Sequence, residues 1–406
     1  SALDAEARLL RASMALRGIR PSVAELDRAN LHPRQVDEII DGWMGGPEFD
    51  ATMGHLHAEV FRTRVEINNV LPSAGPLLTV SAGDIQGSIN EAPLQIVREV
   101  IRTDAPYTEI VTGDFTMVNT VLAELHGLPF DSAAGPWARV GWADGRPNAG
   151  ILSSSDLMLR HLSSDTNMNR ARANFVARSL LCEDLAVGDL AVAEIDLTNL
   201  DAVGDLVATD PGCTGCHDAL DPLAAEFWGF KKYIIRSEVL AAYEAGCPDP
   251  DFCYPLGFYD PKLEGGWATH GLRPPAYYGE TADDLGALGQ AIAADPRFVA
   301  CTARNFMGWF TQTRRDRVLA SDLEPVIDAF LSEDYSARAM ARAIVDSAAF
   351  EAKVFAVRPE QYASMIEDLT GFRWWVDPDV ASCHLRVESC WGITDIMAED
   401  FNGYRT

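Results

Sequence analysis

The sequence predicts a mainly α fold in which multi-helix domains surround a small central segment, with loop-rich insertions. Three observations predict it. Apolar residues recur at helical spacing through both ends of the chain. Gly-, Pro- and Ser-rich stretches break up the middle. Between these stretches lies Cys213-Thr214-Gly215-Cys216-His217, two cysteines three apart with a histidine directly after, which is the attachment pattern of c-type haem. The central segment is therefore expected to be of c-type cytochrome kind.

Residues 1–128 read as an N-terminal helical domain. Leu3 to Leu16 has helical spacing and stops at Gly18, and Pro21 and Pro33 each stand where a first helical turn begins. The second leads into Gln35-Val36-Asp37-Glu38-Ile39-Ile40, and a further helix is expected from Glu48 to Val65. Residues 66–92 look looser, the helical period resumes at Leu94, and Thr116 to Leu125 reads as a closing helix before His126-Gly127. Residues 129–280 form a loop-rich region with short strands, a helix from Asn167 to Cys182, the haem motif, and an insertion near 246–280. Residues 281–366 read as a C-terminal helical domain with starts near Thr281, Pro296, Ser321 and Ser336. Thr281 with Asp284 and Ser321 with Glu324 have capping-box spacing. Residues 367–406 are an irregular tail.

Composition narrows the function. Sixty Asp and Glu against 33 Lys and Arg give a net charge of −27, which excludes a nucleic-acid surface and suits a basic redox partner. No run approaches the roughly 18 apolar residues of a membrane span. Haem c is attached outside the cytoplasm, and Ser1-Ala2-Leu3-Asp4 opens directly on an amphipathic segment. A mature exported chain, periplasmic or at the cell surface, is expected.

One covalent haem c on Cys213 and Cys216, with His217 as iron ligand, is the cofactor reading; half of a zinc site is the competing one. The sixth iron ligand separates carrier from enzyme. Met307 is the first candidate, with Met168, His270 and His161 as alternatives. Met307 among aromatics at helical spacing also reads as core filling. Phe227 and Trp228 are candidates for packing on the porphyrin or on a neighbouring helix, and Arg236, with Lys231 and Lys232, for pairing with the propionates. The other six cysteines suggest disulfides: Cys247–Cys253 and Cys383–Cys390 as local loops, and Cys182–Cys301 by elimination. His55-Leu56-His57 reads as no metal site, and Asp249, Asp251 and Asp260 lack EF-hand spacing. Cys383-His384 is not a second haem motif, because residue 380 is Val.

The order of segments resembles exported bacterial proteins with planctomycete-type cytochrome c and adjoining helical domains of unknown function. The resemblance rests on Arg17-Gly18-Ile19-Arg20-Pro21-Ser22 with Glu25-Leu26, on Pro106 through Asn119, and on Gly150-Ile151-Leu152 through Arg170 with Leu180-Leu181-Cys182. It continues through Cys213 to Pro222 and Phe298 through Phe350. Leu369 through Trp374 and Gly403-Tyr404-Arg405 look like parts of a pattern that runs further in such proteins, so a shortened C-terminus at Thr406 is expected. The activity expected is single-electron transfer with another redox protein. A peroxidase- or oxidase-like enzyme with an open sixth position is the first alternative, and a structural or assembly subunit, oligomeric or within a larger complex, is the second.

Overall fold

The computed structural model describes residues 3–64, 71–185, 207, 209–270, 272–352 and 356–372. Helices dominate it and strand is almost absent, so the protein is mainly α. Helix α1 (Ala5–Arg17) is capped by Asp4, whose side chain accepts from Ala7 N–H, and ends where Gly18 turns left-handed at φ 70°. Helix α2 (Val23–Leu31) starts two residues after Pro21, because Ser22 and Glu25 close a reciprocal capping box there. Pro33 opens a single 3₁₀ turn ahead of α3 (Val36–Trp43). Helix α4 (Pro47–Phe61) ends four residues before the expected Val65, where Arg62 turns left-handed at φ 55°.

The largest departure from the sequence reading is α5, which runs from Ala82 to Arg102 and carries Pro93 in its interior. A proline there removes one helical hydrogen bond. Burial on both sides of it, by Ile85, Ile89 and Ala92 before and Leu94, Ile96 and Val97 after, outweighs that loss. Next come α6 (Glu109–Thr112) and strand β1 (Thr116–Val118), then α7 (Thr120–His126), N-capped by Asn119. The closing helix expected from Thr116 is thus a strand and a shorter helix. Strand β2 (Ala138–Val140) pairs antiparallel with β1, Met117 opposite Arg139.

The helices that frame the motif are α8 (Ser155–Arg160), α9 (Arg170–Leu180), α10 (Pro211–Ala225) and α11 (Arg236–Glu244). Beyond a ten-residue 3₁₀ segment, Pro261–His270, lie α12 (Leu285–Ala294) and α13 (Pro296–Phe310). Asp284, not Thr281, caps α12 by accepting from Ala287 N–H. Helix α14 (Ala320–Ser332) has Leu319 at its N-cap, so the Ser321–Glu324 spacing falls inside the helix. Ser336 caps α15 (Ala337–Val345) as expected, and α16 (Ala348–Ala352) and α17 (Pro359–Thr370) follow. The last of these extends four residues past the expected boundary at 366.

One apolar core reaches from Leu9 to Phe350. Its centre holds a polar pair. The His57 Nδ1–H donates to Met53 O at 2.7 Å, and burial pushes the imidazole down to about 4. The ring is therefore neutral, and Nε2 accepts from Tyr107 O–H at 2.6 Å. Tyr107 also stacks on Phe298 of α13 and takes a backbone bond to Tyr335 O. Early and late helices meet as well: Arg8 pairs with Asp346, and Gln361 donates to Met14 O.

Candidate haem attachment site

Helix α10 begins where Asp210 O accepts from Cys213 N–H and Thr214 N–H, at 3.0 and 2.9 Å. Cys213, Cys216 and His217 then fall at positions i, i+3 and i+4, which share one helix face. Both sulfurs are free thiols and half-buried, and the His217 side chain is 21% exposed. The donor set suits covalent haem: two accessible thiols for thioether bonds and an imidazole beside them.

The imidazole is oriented from behind. His217 Nδ1–H donates to Asp221 Oδ1 at 2.9 Å, one helical turn on. That leaves Nε2 as the nitrogen available to iron. Arg170, the first residue of α9, grips the same carboxylate, Nε to Oδ1 at 2.6 Å and a terminal nitrogen to Oδ2 at 3.1 Å. Burial raises the Asp221 carboxyl, but the hydrogen bonds from His217 and Arg170 and the Arg170 charge outweigh it and hold it below the usual carboxylate range. Asp221 is therefore ionised at neutral pH. Arg273 pairs with Asp218 on the next turn back.

The other expected site residues are dispersed. Phe227 has no exposed surface, so protein atoms cover its ring. Trp228 is covered by the 261–270 segment. A Cβ added at Gly266 would fall 2.2 Å from its Nε1, and the His270 ring lies 5.1 Å away. His270 itself is exposed and donates Nδ1–H to Gly266 O. Lys231 and Lys232 are committed to Asp251 and Asp165, and Arg236 is exposed at the start of α11. Among the described residues, Arg170 and Arg273 pair with the motif helix instead, on Asp221 and Asp218.

Met307 is 1% exposed within the core of α13. Met168 is half-buried in a left-handed turn (φ 52°), two residues ahead of Arg170. His161 donates Nε2–H to Phe61 O and lies 4.3 Å from the Phe175 ring. Burial, with Arg160 beside it, pushes its imidazole down to about 3, so it serves the fold as a neutral ring.

Of the expected disulfides, Cys182–Cys301 is formed. Cys247 and Cys253, on either side of the 3₁₀ turn Pro250–Phe252, are free thiols and not the expected local bridge. Cys383 and Cys390 lie outside the described residues. Asp249 and Asp260 cap local turns, to Asp251 N–H and Lys262 N–H. Among the described residues no group of three or more His, Cys, Asp and Glu is arranged to hold a metal ion, and no helix is long and apolar enough to cross a membrane.

Directly after α10 stands a group that the sequence reading passed over. Glu226 is 7% exposed, and its Oε1 has no hydrogen-bond partner among the described residues. Burial, then the charges of Asp284, Asp283 and Glu264, push the carboxyl up to about 8. Below about pH 4.5 it is protonated folded and unfolded alike. Above that only the unfolded chain ionises, so stability is lost as pH rises towards 8. Glu226→Gln is expected to match the parent near pH 4 and to exceed it by roughly 2–3 kcal/mol at pH 7. Urea titrations at both pH values check this, and an equal stability difference at both would refute it.

Comparison of the chain with protein-family models, with curated proteins and with solved structures finds no match.

Proposed function

We propose that this chain is an exported monohaem c-type cytochrome that passes single electrons to or from another redox protein. The observation that carries the reading is the α10 turn itself, with two accessible thiols and a histidine whose Nδ1 is already taken by Asp221. Bound there through Cys213, Cys216 and His217, haem would supply the one-electron couple. The residues around it hold and shield: Asp221 fixes the imidazole, and Arg170 fixes Asp221. The resemblance to planctomycete-type cytochrome c proteins points the same way. The Cys182–Cys301 bridge fits an oxidising compartment such as the periplasm or cell surface. The charge of −27 suits a basic partner.

The test is expression alongside a haem-attachment system, followed by denaturing electrophoresis with haem staining and absorption spectra. The parent chain is expected to keep its haem after denaturation, and the double variant Cys213→Ala/Cys216→Ala to keep none. A parent chain without bound haem overturns the reading. A peroxidase-like enzyme is the second reading, favoured by the carboxylate on His217 Nδ1–H, which strengthens the ring as a ligand. A ferrous spectrum that shifts with carbon monoxide selects the enzyme, and one that does not selects the carrier.

A further inference from the structure

The hydrogen bond on the back of His217 has a chemical consequence as well as a geometric one. The Asp221 side chain is 7% exposed against 21% for His217, so the Nδ1–H···Oδ1 bond is shielded from water and electrostatically strong. A carboxylate acceptor at Nδ1–H makes the ring a more basic donor at Nε2. A more basic ligand favours ferric over ferrous iron. Arg170 opposes this, because its Nε competes for the very oxygen that receives the imidazole proton, at 2.6 Å against 2.9 Å. Its charge also sits within one carboxylate of the ring.

We propose that Asp221 is a positioning residue that holds the reduction potential of the bound haem low, and that Arg170 limits how low. This rests on the reading that Cys213, Cys216 and His217 carry haem c. Both effects come from side chains fixed by packing of α9 on α10, 51 residues apart in sequence. The potential is therefore set by the joint between these two helices.

The test is spectroelectrochemical titration of purified holoprotein, parent and two variants, after covalent haem has been confirmed in each. Asp221→Asn keeps a side-chain oxygen for Nδ1–H, so the ring stays oriented while the charge is removed. Its ferrous-to-ferric ratio at a fixed potential is expected to rise at least tenfold, an upward midpoint shift of about 59 mV for one electron. Arg170→Met leaves the carboxylate uncompensated and is expected to move the midpoint in the opposite direction. Opposite signs are the signature, since two merely structural losses would not produce them. Midpoints of both variants within twofold of the parent equilibrium, or shifts of the same sign, overturn the proposal while leaving the haem assignment standing. A parent chain with no covalent haem overturns both.

Discussion

The double variant Cys182→Ala/Cys301→Ala is expected to lose about 4–5 kcal/mol of unfolding free energy relative to the oxidised parent. The bridge joins positions 119 residues apart, and in the chain-entropy description a loop of that size restricts the unfolded ensemble by about that amount. It ties the residue just past the end of α9 to the middle of α13, so it fastens the helix that carries Arg170 to the C-terminal helices. Cys301 is buried and makes a further contact to Ser179 O, and Arg315 reaches Arg178 O and Asn305 beside it. Urea titration of the parent, the variant and the reduced parent checks this. The last two should coincide, and a loss under about 1 kcal/mol would show that the bridge is incidental to stability.

Arg172→Met is the second large effect, a loss of about 3–5 kcal/mol. The Arg172 side chain is wholly buried, and among the described residues its hydrogen-bond partners include no carboxylate. Nε donates to His161 O at 3.0 Å, one terminal nitrogen to Asn169 Oδ1 at 2.9 Å, and the other to Met158 O and Lys231 O at 3.3 and 2.8 Å. Burial pushes the guanidinium down to about 9, yet it remains charged at neutral pH. Methionine fills much of the volume but orphans three backbone carbonyls, each worth about 1–3 kcal/mol when left buried and unpaired. Lysine is not expected to rescue it, since one ammonium cannot reach three carbonyls and an amide oxygen in a fork. Denaturation of both variants decides the matter, and a methionine variant within 1 kcal/mol of the parent would sink the argument. The same substitution is expected to loosen the turn at Met168 and Asn169 that launches Arg170.

Local chemistry was largely legible in the sequence. The α1 stop at Gly18 and the Ser336 cap were both readable from side-chain type and spacing. Failures occurred where tertiary packing overrode a local rule. The stretch before Leu94 reads as loose, but α5 begins at Ala82 and is buried enough around Pro93 to run through it. Thr281 reads as a cap, yet Asp284 is closer to the apolar run and takes the role. Thr116 to Val118 reads as helix from its neighbours, but residues 138–140, some 22 positions on, draw it into a ladder. At the site the same division holds. Asp221 stands four residues after His217, a spacing visible in the sequence, whereas Arg170 and Arg172 acquire their roles from segments that meet only in the folded chain.

The closure between the two ends of the described chain bears on when the protein can finish folding. Arg8 meets Asp346 and Met14 O meets Gln361 across separations of 338 and 347 residues, while Arg342 answers both Asp37 and Asp41. Helices α1 to α3 pack on one another and on α4, close by in sequence, whereas these pairs must await the C-terminal helices. Contacts of such long sequence separation carry a high loop-closure cost and form slowly. These long-range pairs are therefore expected to be among the last contacts made in refolding, closing over helix pairs that local packing has already formed.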